Sequence, residues 1–335
     1  MSTTIGIGIV GYGKVASRTH RKWVDSRDDV EIVAVCDTAQ VRRDAASQDI
    51  PNARIYSGYQ ELLDDSRVDL VIVTTPPSSH HDLSMRASRA GKHVFVDKPF
   101  AMTLWEAEEM IEAANAAGRV IHCHQSRRYD GEYVRIADLV AEGRIGEVQH
   151  VRRVWSQYGT GWATWGIEGF NPTWRVQREY GGGMVYDYAP HCGDQILRLV
   201  DKPLETVYAD VRGLKFSDEV DDHFSCSLRF EGGATAYLEA SNMAQIPTPH
   251  WYVMGTEGCI TADSVNGTVR LKREDLDEPA SYEPIDRKHE LYANLLAACR
   301  GEAEPNVTPA QLRASMGLID SVFQSATRGE SVRLS

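Results

Sequence analysis

The sequence predicts an α/β protein with a doubly wound parallel sheet in its N-terminal half and an α+β domain with a large, open, mainly antiparallel sheet in its C-terminal half. Its 335 residues exceed the roughly 100 to 200 that one domain usually contains. Apolar runs alternate with helical stretches up to residue 124, whereas segments of alternating polarity prevail afterwards. We therefore place the domains at residues 1–124 and 125–335.

Five apolar segments in the first half have the length and composition of buried parallel strands. They are IGIGIV, VEIVAV, VDLVIVTT, KHVFVD and RVIHCH. One of the intervening helices is predicted to start at Thr103, which forms a capping box with Glu106, and to end at Gly118. In a sheet built this way, ligands bind at the carboxyl ends of the strands.

The second half is predicted to combine antiparallel strands with a few helices. Alternation of polar and apolar residues marks strands in EVQHVRRVW, DDHFSCSLRF, GATAYLEAS and HWYVMGT. Hairpins are expected at Glu231-Gly-Gly233 and at Asn266-Gly267, where the dipeptide favours a two-residue type I′ turn. A helix is predicted around residues 131–142, and the last helix over about 308–328, with Thr308 and Gln311 as its capping box.

Composition excludes several classes of protein. A formal net charge of -12 disfavours binding to nucleic acid. The sequence shows neither a signal peptide nor an apolar run of membrane-spanning length, so we expect a soluble, cytoplasmic protein that does not bind membranes. The six cysteines are widely spaced and include no C-x-x-C pair, which predicts reduced thiols and no metal site.

A glycine-rich motif follows the first predicted strand. Gly11-Tyr12-Gly13-Lys14-Val15-Ala16 has the G-x-G-x-x-A form of a dinucleotide-binding turn. The first glycine permits the tight turn, the second lets a pyrophosphate approach the backbone, and the small Ala16 lets the helix pack on the strand. The residues from Gly8 to Lys14 nearly form a P-loop, but Val15 stands where that motif needs a hydroxyl for magnesium.

An acidic residue follows the second predicted strand. Asp37 lies at the end of VEIVAVC, where a carboxylate accepts hydrogen bonds from the adenosine ribose and repels a 2′-phosphate. This position favours NAD over NADP, although Arg42 and Arg43 follow closely and leave NADP possible.

Lys98 is the first candidate for a catalytic role. It follows the strand KHVFV, at the sheet edge where ligands bind, and its ammonium group could polarise a carbonyl or stabilise an alkoxide. By position alone, an ordinary surface lysine after a strand is the more frequent case.

Three polar residues at helical spacing form a second candidate group. Asp187, His191 and Asp194 are four and three residues apart, which places them on one face of a helix. A histidine, with an ordinary pKa of about 6.5, suits deprotonation of a hydroxyl group. The alternatives are an acid at a helix start beside a capping histidine, or a metal-binding pair, which would need further ligands that the spacing does not identify.

Aromatic residues are concentrated between residues 155 and 174. Four of the seven tryptophans, Trp155, Trp162, Trp165 and Trp174, fall in this segment. Aromatic faces can stack on sugar rings while the neighbouring Glu168 and Arg175 bind hydroxyl groups, but they also serve in cores and subunit interfaces.

Three segments together resemble the Gfo/Idh/MocA family of NAD(P)-dependent sugar and inositol oxidoreductases. They are GIVGYGKVASRTH, TTPPSSHHDLSMRASRAGKHVFVDKP and GGGMVYDYAPHCGD. The segments SRRYD and GRIGEV and the C-terminal VTPAQLRASMGLIDSVFQSATRGESVRL are similar as well, so the resemblance covers nearly the whole chain. It implies an N-terminal Rossmann domain and a C-terminal domain for substrate binding and oligomerisation.

The resemblance also implies roles for individual residues. Lys98 matches the lysine of the family's Glu-Lys-Pro motif, and Asp187 and His191 match its Asp-x-x-x-His pair, so these three are the expected catalytic residues. The predicted cofactor contacts are Gly11, Tyr12, Gly13, Lys14, Val15, Asp37, Thr75, Pro76, His80 and Lys98. The predicted substrate contacts are Lys98, Arg127, Trp165, Trp174, Arg175, Asp187 and His191.

Two positions depart from the family pattern. Asp97 stands in place of the usual Glu, and Ala189-Pro190 precedes His191 where a glycine-containing pair is common. The shorter acid changes how Lys98 is held, and Pro190 fixes one backbone torsion next to His191.

The expected function is oxidation or reduction of a secondary alcohol or ketone of a sugar, sugar derivative or cyclitol with NAD, in a homodimer or homotetramer. One alternative is a redox-neutral enzyme, such as a glycosidase or epimerase, that holds NAD and transfers hydride transiently. A second is an NAD-binding sensor without enzymatic activity.

Overall fold

A computed structural model describes residues 4–161, 168 and 173–334. The chain forms two compact units. The first comprises Met1–His124, Gly161–Gly181 and Tyr292–Leu312, and the second comprises Gln125–Thr160, Gly182–Leu291 and Arg313–Ser335. After residue 124 the chain therefore passes between the units at four further points, which the sequence did not indicate.

The first unit contains a six-stranded parallel sheet with the strand order β3-β2-β1-β4-β5-β6. This order is that of a doubly wound dinucleotide-binding fold and confirms the predicted fold class of the first half. The strands are β1 (Ile5–Val10), β2 (Val30–Cys36), β3 (Arg54–Tyr56), β4 (Leu70–Val73), β5 (His93–Val96) and β6 (Ile121–Cys123). Every residue of β1 and β4 is buried, because helices cover both faces of such a sheet.

The described residues also form α-helices of 4 to 20 residues. They are α1 (Arg21–Val24), α2 (Gln40–Asp49), α3 (Tyr59–Asp64), α4 (His80–Arg89), α5 (Leu104–Ala116), α6 (Gly131–Ala141), α7 (Met184–Val200), α8 (His289–Cys299) and α9 (Pro309–Arg328). A π-helical run, Ala16–His20, leads directly into α1. The predicted caps form at two helices: Thr103 Oγ1 accepts the amide of Glu106 at 3.1 Å, and Thr308 Oγ1 accepts that of Gln311 at 3.3 Å.

The second unit contains a nine-stranded sheet with the order β14-β13-β12-β11-β7-β10-β9-β8-β15. Neighbouring strands are antiparallel except for β7 and β10, which are parallel, and this sheet confirms the predicted class of the second half. The strands are β7 (Val148–Ser156), β8 (Leu204–Arg212), β9 (His223–Phe230), β10 (Thr235–Ser241), β11 (Trp251–Gly255), β12 (Gly258–Ala262), β13 (Val269–Arg273), β14 (Ala280–Tyr282) and β15 (Val332–Arg333).

Helix α7 packs against this sheet and is itself covered by α9. A Cβ atom on Gly193 of α7 would lie 2.5 Å from Leu318 of α9, so the close packing of the two helices requires glycine there. Elsewhere on the sheet, Tyr208, Tyr252 and Met254 are exposed. Sheets of this kind commonly bury one face and leave the other open.

The two predicted hairpins have different outcomes. Gly232 and Gly233 both have positive φ and connect β9 to β10 as expected. A hairpin between β12 and β13 does enclose Asn266-Gly267, as predicted. The two-residue type I′ turn is wrong, because only Asn266 has positive φ and six residues separate the strands. Asn266 is held by other contacts, since its Oδ1 accepts the amide of Gly131 at 2.8 Å and its own amide donates to Glu132 at 2.7 Å.

In the part of the chain that the structure describes, none of the helices combines the length and the apolar character needed to span a lipid bilayer.

Candidate functional site

The glycine-rich turn lies at the carboxyl end of β1. Gly11 has a φ of +87°, and a Cβ there would lie 2.8 Å from the Thr75 side chain, so both backbone conformation and space require glycine. A Cβ on Gly13 would meet no protein atom within 4 Å, because that glycine faces an open cleft. Ala16 is fully buried where the following helix packs on the sheet. These features fit the close approach of a pyrophosphate to the backbone.

Asp37 is held in place at the end of β2 by two backbone amides. Its Oδ2 accepts the amide of Tyr12 at 2.7 Å, and its Oδ1 accepts that of Ala39 at 2.8 Å. A carboxylate offers about four acceptor positions, so two remain for the hydroxyl groups of a ribose.

Of the two arginines that follow Asp37, Arg43 is hydrogen-bonded within the protein and Arg42 is buried. Arg43 donates to the carbonyl oxygens of Asp37 and Thr38, both at 2.8 Å, and to the side chain of Gln40. Neither guanidinium is therefore placed in this structure to bind a phosphate group in the cleft.

A cleft of the first unit brings these elements together. It is lined by the glycine-rich turn, the end of β2, the loop after β4 and the segment around residues 174–180. The residues predicted for the cofactor that line it are Gly11, Gly13, Lys14, Val15, Asp37, Thr75 and Pro76. The same cleft is lined by Trp174 and Arg175, which we had expected at the substrate, and by Tyr180. The guanidinium of Arg175 lies 4.2 Å from the centre of the Trp174 ring.

Two other residues predicted for the cofactor are buried and bind protein groups. Tyr12 is fully buried, and its hydroxyl donates to Asp49 at 2.9 Å. His80 is 1% exposed, and its two ring nitrogens lie 2.8 Å from the carbonyl of Pro99 and 2.9 Å from that of Thr75. Burial lowers the pKa of His80 more than these hydrogen bonds raise it. His80 thus braces the loop after β4 against the loop that carries Lys98.

Lys98 lies just beyond the carboxyl end of β5 and is half-buried. The residue before it, Asp97, contacts two histidines: its Oδ1 lies 2.8 Å from Nδ1 of His124 and 3.2 Å from Nε2 of His20. The hydroxyl of Tyr292 contacts the other nitrogen of each ring, at 3.2 Å for His20 and 3.3 Å for His124. We call these four side chains the His-Asp-Tyr ring.

The sequence did not indicate this ring, because its members come from four distant segments; only the replacement of Glu by Asp97 pointed to the position. Burial of Asp97 opposes its ionisation. Attraction to the two histidines, through charge and hydrogen bonds, outweighs that effect, and the net result lowers the pKa of the carboxyl group. Among the described residues, His20, Asp97 and His124 are also close enough together to offer three ligands to a metal ion.

Asp187 and His191 lie one turn apart on α7 in the second unit, as their spacing predicted. Gly183, with a φ of +111°, precedes the helix, and a Cβ there would lie 2.3 Å from Asp221. His191 is 8% exposed and Asp187 is half-buried in the first turn, where the helix dipole favours a negative charge.

The third residue of this group, Asp194, has a structural partner. It forms an ion pair with two hydrogen bonds to Arg128, at 2.5 and 2.7 Å, and both side chains are almost completely buried. Asp194 therefore fixes α7 against the short helical turn at Ser126–Tyr129.

Arg127, a predicted substrate contact, lies on that same turn of the second unit. Its guanidinium lies 4.2 Å from the centre of the Trp155 ring and donates to Asp130 at 3.0 Å, while its carbonyl accepts the Gln195 side chain of α7. Trp165, another predicted substrate contact, lies outside the described residues.

Comparisons with known proteins agree with this architecture. Residues 5–125 match the model of an oxidoreductase family with an NAD-binding Rossmann fold, and residues 133–261 match the GFO/IDH/MocA C-terminal domain. The solved structure of an NAD-binding protein from Listeria innocua is similar, with a TM-score of 0.87 and 29% identity over 99% of this chain and 97% of that one.

Several curated relatives carry names that describe an activity. One is 1,5-anhydro-D-fructose reductase of Ensifer adhaerens, 28% identical over 98% of both chains. Another is scyllo-inositol 2-dehydrogenase (NADP(+)) IolW of Bacillus subtilis, 27% identical over 79% of this chain and 70% of its own. Since matches to both family domains span more than half of the sequence, this chain belongs to the Gfo/Idh/MocA family of oxidoreductases.

Proposed function

We propose that this protein is an NAD-dependent dehydrogenase that interconverts a secondary alcohol and a ketone on a sugar, sugar derivative or cyclitol. The observation that carries the proposal is the cleft of the first unit. Gly13 leaves the backbone of the glycine-rich turn open to the cleft, an anchored Asp37 stands at the end of β2, and Lys98 follows β5 at the same edge of the sheet. The relatives named for inositol and anhydrofructose support the substrate class.

The cleft also supports the choice of cofactor. Asp37 keeps acceptor positions for ribose hydroxyls, whereas its charge repels a 2′-phosphate. Arg42 is buried and Arg43 is occupied by backbone carbonyls, so neither offsets that repulsion. We accordingly favour NAD over NADP and assign Trp174 and Arg175 to the cofactor as well as to the substrate.

In the proposed reaction, NAD supplies the acceptor for the hydride when it is bound. His191 accepts the proton of the substrate hydroxyl, and Lys98 and Asp187 bind and polarise the reacting oxygen. An ammonium group next to that oxygen stabilises negative charge as the O–H bond breaks. The half-buried position of Lys98 limits competition from water for this interaction.

We further propose that the chain forms a homodimer or homotetramer in the cytoplasm. The exposed Tyr208, Tyr252 and Met254 on the nine-stranded sheet suit a symmetric interface, and the six cysteines, all among the described residues, form no disulfide bond, as in a reducing compartment. Light scattering of the purified protein tests the assembly, and a monomer at micromolar concentration would contradict it.

Absorbance at 340 nm tests the activity directly. The purified protein is incubated with NAD or NADP and a panel of aldoses, glycosides, uronic acids and inositols, and we expect NADH to appear with at least one class. A flat trace accompanied by product in mass spectra would instead establish the redox-neutral enzyme. Firm binding of NAD without any product across the panel would favour the sensor.

A further inference from the structure

The His-Asp-Tyr ring joins four separate parts of the first unit. His20 ends the π-helical run after β1, Asp97 follows β5, His124 follows β6, and Tyr292 lies in α8. Four contacts of 2.8 to 3.3 Å close the ring, so each side chain has two neighbours within hydrogen-bond distance. π-Helical insertions occur frequently at functional sites, and this one ends at His20.

Hydrogen counting shows that the ring needs one extra proton. Four hydrogen bonds require four hydrogen atoms. The hydroxyl of Tyr292 supplies one, each neutral imidazole supplies one, and an ionised Asp97 supplies none. With both histidines neutral, one of the four contacts would therefore bring two acceptors together in a buried place, which is unfavourable.

One additional proton satisfies every contact. If His124 is an imidazolium, it donates to Asp97 and to the oxygen of Tyr292. The hydroxyl of Tyr292 then donates to Nδ1 of His20, whose Nε2–H donates to Asp97. His124 suits the charge better than His20, because it lies closer to the carboxylate and is 7% exposed, whereas His20 is fully buried.

We propose that His20, Asp97, His124 and Tyr292 form a closed hydrogen-bonded ring that retains one proton, carried mainly by His124, and that this ring is a positioning device for Lys98. The first part concerns the ring alone. The second part rests on the proposed function, because it gives Lys98 a task in which its direction matters.

The geometry shows how the ring acts on Lys98. Asp97 directly precedes Lys98, and its amide donates to the carbonyl of Val73 at 2.9 Å. The carboxylate of Asp97 is hydrogen-bonded to two histidines, so this residue is held through both its backbone and its side chain. The backbone of Lys98, the next residue, is held in place as a consequence. A catalytic group must be held to within about 0.5 Å of its working position, which ordinary loops do not guarantee.

Apolar neighbours strengthen the ring. Phe95 places its ring 5.5 to 5.8 Å from His20, His124 and Tyr292, and Trp23 stacks on Tyr292 at 4.1 Å. In such surroundings hydrogen bonds are stronger and unpaired polar groups are more costly. His80 is a further titratable neighbour, since Asp97 also influences its pKa, and His122 packs against the other side of the cluster through Phe95.

A metal ion is the competing occupant of this cluster. Zinc bonds of about 2.0 to 2.1 Å in a tetrahedral site would place ligand atoms about 3.3 Å apart. The carboxylate oxygen lies 2.8 Å from one nitrogen and 3.2 Å from the other, which are hydrogen-bond distances. The observations thus favour a proton over a metal, and the test distinguishes the two.

Nuclear magnetic resonance of the whole protein labelled with ¹⁵N-histidine counts the ring hydrogens directly. Comparison with His20→Gln and His124→Gln assigns the signals. We expect three N–H groups between the two histidines at neutral pH, both nitrogens of His124 being protonated, and no response to zinc or chelator. Two or four N–H groups, or signals that follow zinc, would overturn the ring. This count is independent of catalytic activity.

Two further readouts test the positioning of Lys98. Tyr292→Phe opens the ring with little change of shape, and Tyr133→Phe, which removes another buried hydroxyl in the second unit, is the matched control. We expect acetylation of Lys98, measured by mass spectrometry, to change about threefold or more in Tyr292→Phe because its loop is loosened. An unchanged rate with the ring open would overturn the positioning role even if the protein proved not to be a dehydrogenase.

In the dehydrogenase assay, Tyr292→Phe should lower kcat about tenfold, equivalent to about 1.4 kcal/mol of barrier, with the KM for NAD unchanged. Asp97→Asn should have a larger effect, and Asp97→Glu, which keeps the carboxylate, should recover part of the loss. Equal losses in Tyr292→Phe and Tyr133→Phe would indicate a merely structural role and contradict the proposal.

Discussion

Asp221 accepts the amide of Val185 at 2.7 Å and thereby anchors the first turn of α7, the helix that carries Asp187 and His191. The carboxyl group of Asp221 is buried directly against Gly183, where no side chain would fit. The first backbone amides of a helix usually donate to the side chain of the residue that precedes the helix. In α7 the accepting side chain is that of Asp221, which lies just before β9. The position of the expected catalytic pair therefore depends on a distant residue.

This buried carboxyl group gives the protein a characteristic pH dependence. Burial raises the pKa of Asp221 to about 6, against the backbone hydrogen bonds, which lower it. The folded protein then binds the proton more tightly than the unfolded chain, in which the pKa is about 3.9. Its contribution to stability is full below about pH 4 and is lost as the pH rises through 6, a change of about 3 kcal/mol.

Urea denaturation of wild type and Asp221→Asn between pH 3 and 7 measures this contribution. The difference in the free energy of unfolding between the two proteins should shift by that amount over the interval, since asparagine does not titrate. A difference independent of pH would show that Asp221 titrates at its ordinary value.

Gly11 and Gly13 should respond differently to alanine. Gly11→Ala forces a side chain into a left-handed conformation and against Thr75, so we expect a loss of stability of at least about 1 to 2 kcal/mol together with lost NAD binding. Gly13→Ala meets no protein atom, so stability should stay within about 0.5 kcal/mol of wild type while NAD affinity falls at least tenfold. Thermal denaturation measures the loss of stability, and calorimetric titration measures the affinity for NAD. Unchanged NAD affinity in Gly13→Ala would show that the pyrophosphate does not bind next to Gly13.

The buried ion pair of Arg128 and Asp194 should be sensitive to the loss of one partner. Arg128→Met leaves a buried carboxylate without its cation, and we expect a loss of about 3 to 5 kcal/mol. The double variant Arg128→Met with Asp194→Leu should recover much of it. Chemical denaturation of the single and double variants tests this coupling, which additive losses would disprove.

Lys98→Met should lower kcat by well over tenfold, which is more than about 1.4 kcal/mol of barrier, because no other group is proposed to supply its charge. Lys202→Met, at an exposed lysine of the second unit, is the control. Turnover of Lys98→Met within tenfold of wild type would show that Lys98 does not have the assigned role.

The sequence determined those features that depend on local pattern. Apolar runs alternating with helices predicted the parallel sheet, and the spacing of Gly11, Gly13 and Ala16 predicted the turn that the structure shows. The capping box at Thr308 formed as predicted. At Thr103 the side-chain cap formed, but the Glu106 carboxylate accepts the amide of Met102 instead of completing the box. Each of these features involves residues a few positions apart, so nearest-neighbour stereochemistry suffices to specify it.

Tertiary structure decided where chemically versatile residues meet. Asn266 leaves the expected turn geometry because Gly131 and Glu132 bind it. Trp174 and Arg175 line the cleft of the first unit, although the sequence predicted them as substrate contacts only. The His-Asp-Tyr ring joins residues up to 272 positions apart. Sequence patterns that span only a few residues cannot predict such a contact. Hydrogen bonds of buried groups depend on which segments pack together, and that is a property of the whole fold.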